Sequence, residues 1–260
     1  MSLVRPKLPG LLALFIAALA MPAPAAPPKK ASAPAPVVVA TAADVVARYD
    51  QIMSPPAFVA VMEMTATRED GSTRSYVLKT QKVGADKLRA TFQEPASARG
   101  QEMLRVGDNM WSYVPNLKRA VRVASRDSFM GGDFNNGDVL RVNYTADYDA
   151  TFLEGADAGL VCAKLTAKSP GVAYDMIHLC LTKDAAAMPV SAKYFAQSGK
   201  LLRSAVFSDV KDFGGGNVRP AKIVMKNEIQ TARQSTMTWS AFDVVDGIPA
   251  SRFVVEDLGR

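Results

Sequence analysis

Phe58-Val59-Ala60-Val61-Met62-Glu63-Met64-Thr65 repeats with a period of two. Phe58, Ala60, Met62 and Met64 share one side, and Glu63 and Thr65 share the other. That is the pattern of a β-strand with one dry face. Asp70-Gly71 follows as a hairpin signal, and a strand carrying Tyr76 and Leu78 returns. In Lys87–Gln93 the side chains of Leu88, Ala90 and Phe92 alternate with Lys87, Arg89 and Thr91. The same habit recurs at 100–106, 109–114 and 119–124. It continues at 146–154, 159–168, 174–182, 189–197, 200–210, 219–230 and 234–244. Strands so closely spaced and joined by short turns make an antiparallel meander, because parallel pairs need crossovers of about a dozen residues or more.

Two segments have helical character. Thr41 is an N-cap with Asp44 three residues on, and Val45, Val46, Tyr49, Ile52 and Met53 follow at helical spacing until Ser54-Pro55-Pro56 stops them. A second, short helix falls within 133–143. A sheet of this size buries its apolar face by closing into a barrel, folding into a sandwich, or curving around a partly filled cavity capped by the few helices. Twelve methionines stand beside eleven phenylalanines. Met62, Met64, Met103, Met110, Met130, Met225 and Met237 favour the adaptable wall of a cavity, since thioethers fill irregular apolar space.

The composition, 48% hydrophobic and 22% charged, is that of a folded protein. One histidine and two cysteines exclude a histidine metal cluster and any four-ligand Cys/His zinc site. Arg5 and Lys7, the apolar run Leu11–Ala20 and a small-residue exit at Ala18-Leu19-Ala20 or Ala23-Pro24-Ala25 read as a secretory signal over 1–26. The run is shorter than the roughly 20 residues of a membrane span. Residues 27–40 read as an Ala/Pro-rich tether and 41–260 as the folded domain. Removing the signal leaves 29 basic against 25 acidic residues and lowers the formal charge from +6 to +4. Those basic residues are scattered along strands, which argues against nucleic-acid binding.

Cys162 and Cys180 are equidistant from Gly171 in the turn Ser169-Pro170-Gly171. A hairpin folded there sets them opposite one another, and in an exported chain they pair as a disulfide worth roughly 3 kcal/mol at most. His178, on the polar side of its strand, reads as a solvated histidine without a nucleophile or a paired carboxylate beside it. Phe213-Gly214-Gly215-Gly216-Asn217 lies between strands and opens no helix, so it is a turn and not a phosphate cradle. The Asp133–Gly137 stretch fails as a calcium loop, because its glycine is one place early and its twelfth position is Tyr144. No ionisable group is assigned to the apolar faces, which leaves a hydrolase or isomerase reading without a residue to carry it.

Trp111-Ser112-Tyr113-Val114-Pro115, the arginines after it (Arg119, Arg122, Arg126) and Ser128-Phe129-Met130-Gly131-Gly132-Asp133-Phe134 resemble the outer-membrane lipoprotein-sorting (LolA-like) family. So do Pro220–Asn227, Thr236 and Phe253–Leu258, and the likeness spans roughly 41–260. Gly132 replaces a usual serine, and Asn135-Asn136-Gly137 replaces a more polar, helix-starting stretch. The resemblance implies an unclosed antiparallel half-barrel, mainly β, with a few short helices covering its concave apolar face. It implies a periplasmic, non-enzymatic carrier without a cofactor, monomeric, taking lipoprotein acyl chains or lipids toward the outer membrane. The alternative is an envelope lipid or lipoprotein sensor on the same fold. An inner-membrane lipid or lipoprotein exporter would be the loader. The expected lining is Phe58, Met62, Met64, Leu88, Phe92, Trp111, Tyr113 and Trp239. The expected lid is Phe129, Met130 and Phe134 beside Gly131-Gly132, latched by an Arg126–Asp133 ion pair.

Overall fold

Helix α1 (Ala42–Met53) opens the folded body. The computed structural model describes Met1 and residues 39–260; the expected signal and nearly all of the expected tether lie outside the described residues. The Thr41 side chain accepts from the Asp44 amide at 3.2 Å, and the Asp44 carboxylate accepts from the Thr41 amide at 2.7 Å. This closed capping box satisfies donors that a helix start leaves open. Val45, Val46, Tyr49, Ile52 and Met53 form the buried face of α1.

Six strands follow: β1 (Ala57–Thr67), β2 (Thr73–Val83), β3 (Lys87–Glu94), β4 (Glu102–Val106), β5 (Asn109–Val114) and β6 (Arg119–Val123). Residues 124–147 then cross over, carrying α2 (Asn136–Leu140) and α3 (Tyr144–Asp147). Seven more strands complete the sheet: β7 (Tyr148–Phe152), β8 (Leu160–Ala167), β9 (Met176–Thr182), β10 (Pro189–Phe195), β11 (Leu201–Asp212), β12 (Val218–Asn227) and β13 (Gln234–Val244). All thirteen lie in one antiparallel sheet ordered β6-β5-β4-β3-β2-β1-β13-β12-β11-β10-β9-β8-β7. The edges β6 and β7 are neighbours in sequence yet do not pair, so the sheet is an unclosed half-barrel. The crossover bridges the gap.

The concave face carries the main core: the even positions Phe58–Met64 of β1, Leu88, Ala90 and Phe92 of β3, and Met225 and Met237 from the returning strands. Trp239 and Phe242 both belong to it although they are three residues apart. A register shift makes this possible, because Met62 faces Trp239 while Val61 faces Ala241, leaving Ser240 as an extra residue.

A second, smaller core lies on the convex side. There Leu104, Phe253 and Leu258 are buried with Val83, Val106, Trp111 and Tyr113 packed around them. Two 3-10 turns, Ala250–Phe253 and Val255–Asp257, shape this C-terminal strap. The fully buried Arg89 fastens it, with salt bridges to Glu102 and Asp257 and hydrogen bonds to the Arg252 and Asp257 carbonyls, both at 3.0 Å. Gly259 rests so closely on the Tyr113 ring that an added Cβ would lie 2.3 Å from it. Trp111 and Tyr113 therefore do not line the concave interior as expected. On β5 both faces are apolar, and the strap covers the face that Trp111 and Tyr113 occupy.

Cys162 faces Cys180 in the β8–β9 register and the two are bonded as a disulfide. They lie away from the main core beside His178, which packs on Phe195 with ring centroids 4.5 Å apart. Burial, with Lys164 and Lys193 nearby, holds the His178 pKa below its ordinary value.

Candidate functional site

The concave face is built as a wall of aromatic and thioether side chains. Phe58 stacks on Phe242 at 4.5 Å, and Tyr76 meets Phe92 edge-on at 5.6 Å. Met62, Met64, Met225 and Met237 fill the space between the two halves and are all buried. This wall is covered from within by α1 and by the crossover. Phe129 is fully buried and stacks over Phe92 at 5.9 Å, and Phe134 is 1% exposed. Met130 packs against the same core from a partly exposed position. Within this interior lies a void of about 40 Å³, bounded by Tyr49, Met53, Phe134, Tyr144, Tyr194 and Trp239, among others. Such a void holds a water or two and not an acyl chain. The segment expected as a lid, carrying Phe129, Met130 and Phe134, itself fills the interior.

The lid is anchored at Asp133, which is 1% exposed. Its carboxylate accepts from Ser235 Oγ at 3.0 Å and Asn227 Nδ2 at 2.9 Å, and its carbonyl accepts from Arg203 Nε at 3.1 Å. Arg126 does not latch it. That guanidinium pairs with Asp175 at 2.8 Å, across the turn between β8 and β9, while Arg233 Nε stands 3.6 Å from Asp133. Ser128 Oγ donates to the Gly132 carbonyl at 2.6 Å, and Met130 and Gly131 adopt left-handed conformations that turn the chain back. Gly132 and Gly137 have packing roles. A Cβ on Gly132 would meet Ser235 Oγ at 3.2 Å and Ala66 Cβ at 3.4 Å. One on Gly137 would meet Ser125 Oγ at 2.5 Å and Ala173 Cβ at 2.8 Å, so α2 seats only with glycine there.

Five tyrosines converge around the α1–α3 contact. Tyr49 stacks on Tyr144 at 4.9 Å, Tyr144 meets Tyr148 at 5.5 Å, and Tyr174 lies 4.4 Å from Tyr194. The Tyr174 hydroxyl donates to Asp138 at 2.8 Å. On α1, Asp50 accepts from the amides of Tyr144 and Thr145 at 2.9 and 2.7 Å and so caps α3 from another helix. Burial pushes the pKa of both carboxyls up, that of Asp138 to about 6. Local pattern reading missed this cluster, because its members come from α1, α3, β7, β10 and the β8–β9 turn. The one available signal was parity, which places Tyr194 on the same strand face as Ala192.

The Asp138 shift has a definite sign. Between about pH 4 and 6 the folded chain holds a proton that the unfolded chain has released, so this group's contribution to stability falls as pH rises through that window. The span corresponds to up to about 3 kcal/mol. Asp138→Asn keeps an acceptor for Tyr174 but cannot ionise. In urea unfolding, the stability of D138N relative to wild type is expected to rise between pH 4 and pH 7. An unchanged difference would refute the assignment.

Three buried cations, Lys82, Arg105 and Arg219, sit on the inward face, where the sequence pointed to no ionisable group. Lys82 continues the buried parity of Leu78 and Thr80, and Arg219 that of Ala221 and Ile223. Lys82 Nζ donates to the carbonyls of Ser54 and Pro55 at 3.3 and 2.8 Å, just beyond the C-terminal end of α1. Burial lowers the Lys82 pKa to about 8 and that of Arg219 to about 9. Among the described residues no group of three or more His, Cys, Asp or Glu is placed to hold a metal ion. No helix there is long and apolar enough to cross a membrane.

A family model described as "uncharacterized protein" matches residues 84–260. No curated protein matches. Among solved structures, a LolA superfamily protein from Nitrosomonas europaea is 24% identical with a TM-score of 0.76, over 83% of this chain and 98% of that one. An outer membrane lipoprotein-sorting protein domain from Vibrio parahaemolyticus is 22% identical with a TM-score of 0.70, over 84% of this chain and 98% of that one. A DUF1329 family protein from Desulfovibrio piger is 20% identical with a TM-score of 0.72, over 84% and 97%.

Proposed function

For a chain that belongs to the uncharacterized-protein family matched over residues 84–260 and has the LolA-type fold, we propose a periplasmic carrier role. The cargo is the acyl chain of a lipoprotein or lipid, held against the concave face for transfer toward the outer membrane. One observation carries this reading: a continuous apolar sheet face is covered by the chain's own lid, and the lid is fastened through a few polar contacts at Asp133. Cargo would replace Phe129, Met130 and Phe134 against Phe58, Met62, Met64, Leu88, Phe92 and Trp239. Each methylene transferred from water gains about 0.8 kcal/mol, so one long chain can offset the displacement of two aromatic side chains. The methionine wall adapts to the incoming chain without polar recognition. The leader read at 1–26 supports export, and the protein would act as a monomer loaded at the inner membrane by a lipid or lipoprotein exporter. No group here is assigned a catalytic step.

The test uses purified mature protein. N-phenyl-1-naphthylamine, a neutral apolar probe, should brighten on mixing, and organic extraction of denatured protein should release co-purified lipid visible by mass spectrometry. A dark probe together with a lipid-free extract would overturn the carrier reading.

A further inference from the structure

Arg219 is completely buried, and among the described residues no carboxylate pairs with it. Its acceptors are distant: the Met53 carbonyl at 3.4 Å, the carbonyl of its own neighbour Pro220 at 3.5 Å, and the Met53 sulfur at 3.8 Å. The guanidinium lies over Phe242, 3.8 Å from the ring centroid, and 4.8 Å from that of Trp239. Those faces soften the cost of burying the charge but do not neutralise it. Five N–H donors in a planar fork are thus held in an apolar enclosure with weak partners only.

The position of the fork is equally informative. Met53 and Trp239 bound the interior void, whereas Phe242 lines a cleft of about 800 Å³ at the rim of the half-barrel. That cleft is also bounded by Ile52, Phe213 and the consecutive glycines Gly214, Gly215 and Gly216, all three in left-handed conformations. Arg219 therefore stands in the partition between an open mouth and an apolar interior. We infer that Arg219 is a headgroup site, selecting cargo whose single acyl chain enters the interior and whose anionic carboxylate or phosphate head remains at the rim. This deepens the carrier reading and rests on it. Planar bidentate pairing of guanidinium with either oxyanion supplies the recognition. A neutral amphiphile of equal length would leave the fork as it stands and forgo that interaction.

Displacement of N-phenyl-1-naphthylamine from the mature protein tests the idea. Palmitate and palmitoyl lysophosphatidate should each displace the probe at about tenfold or more lower concentration than 1-hexadecanol. Inorganic phosphate alone should not displace it. In Arg219→Met the ratio between palmitate and hexadecanol should collapse to near one, and in Arg219→Lys it should be partly kept. If palmitate and hexadecanol act alike on the wild-type protein, the headgroup site is refuted while the carrier reading survives. Displacement by free phosphate would refute the amphiphile assignment. If neither probe nor lipid binds, both readings fall. Preference for one anionic amphiphile over the other would identify the head as carboxylate or phosphate.

Discussion

Phe129→Ala is expected to cost about 3–5 kcal/mol of stability and to raise the uptake of an apolar probe. Phe129 is fully buried, and its ring lies 11° from parallel to that of Phe92. Removing the phenyl group loses its transfer free energy and leaves a cavity that cannot collapse, because Phe92 belongs to a rigid strand and the lid backbone is fastened on both sides. The Phe129 amide donates to the Phe134 carbonyl at 2.8 Å, and the Gly132 amide returns to the Phe129 carbonyl at 3.0 Å. Ordinary core residues lose stability when truncated and gain nothing. A lid residue that occupies cargo space differs, because its truncation also lowers the cost of admitting a ligand. Urea unfolding and titration with N-phenyl-1-naphthylamine read the two effects separately. Phe129→Leu, with a smaller loss, guards against outright unfolding. A destabilised variant that takes up no more probe than wild type would mean that Phe129 is core and not lid.

Arg89→Ala is expected to cost a similar 3–5 kcal/mol, for a different reason. It leaves the Glu102 carboxylate, with only 8% of its side chain exposed, without its guanidinium, and it removes the hydrogen bonds to the Arg252 and Asp257 carbonyls. The strap should then detach before the sheet unfolds. Only two tryptophans are present, so in a Trp239→Phe background the emission of Trp111 reports strap release as a red shift, and limited proteolysis should trim the C-terminal residues. Arg89→Met combined with Glu102→Gln should recover much of the loss, because no uncompensated charge stays buried. Strap loss with lipid uptake abolished would contradict the separation of the two cores.

Much of the sheet was legible because most of the long strands keep one dry face, although β11 buries only Ala205 and Phe207. Alternation of Phe58 through Met64 needs no tertiary information, and the symmetry of Cys162 and Cys180 about Gly171 sets a register without it. The closed interior was harder to read. On β5, Met110 and Trp111 are both apolar and adjacent, so parity alone could not say which one faces inward; the distant strap decides. The extra residue at Ser240 keeps Trp239 and Phe242 on one face, and a bulge leaves little trace in a sequence. Lys82 and Arg219 lie on buried parity, yet a charged residue there reads as the frayed end of a strand until helix α1 is seen above it. The four-residue α3 is shorter than any periodicity can reveal, and beside its local cap Asn143 its first amides are held by Asp50 from elsewhere in the chain.

The pairing of β1 with β13 also bears on how the molecule assembles. Eleven of the twelve strand pairings join consecutive strands, and only this seam joins the two ends of the sheet's sequence, with Phe58 opposite Val244. Each half can thus form as a local ladder of hairpins, with little entropy lost per contact. The seam alone must close a loop comprising nearly the whole domain, a step that topology makes slow. The folding chain would hold two half-formed apolar troughs until that zipper shuts.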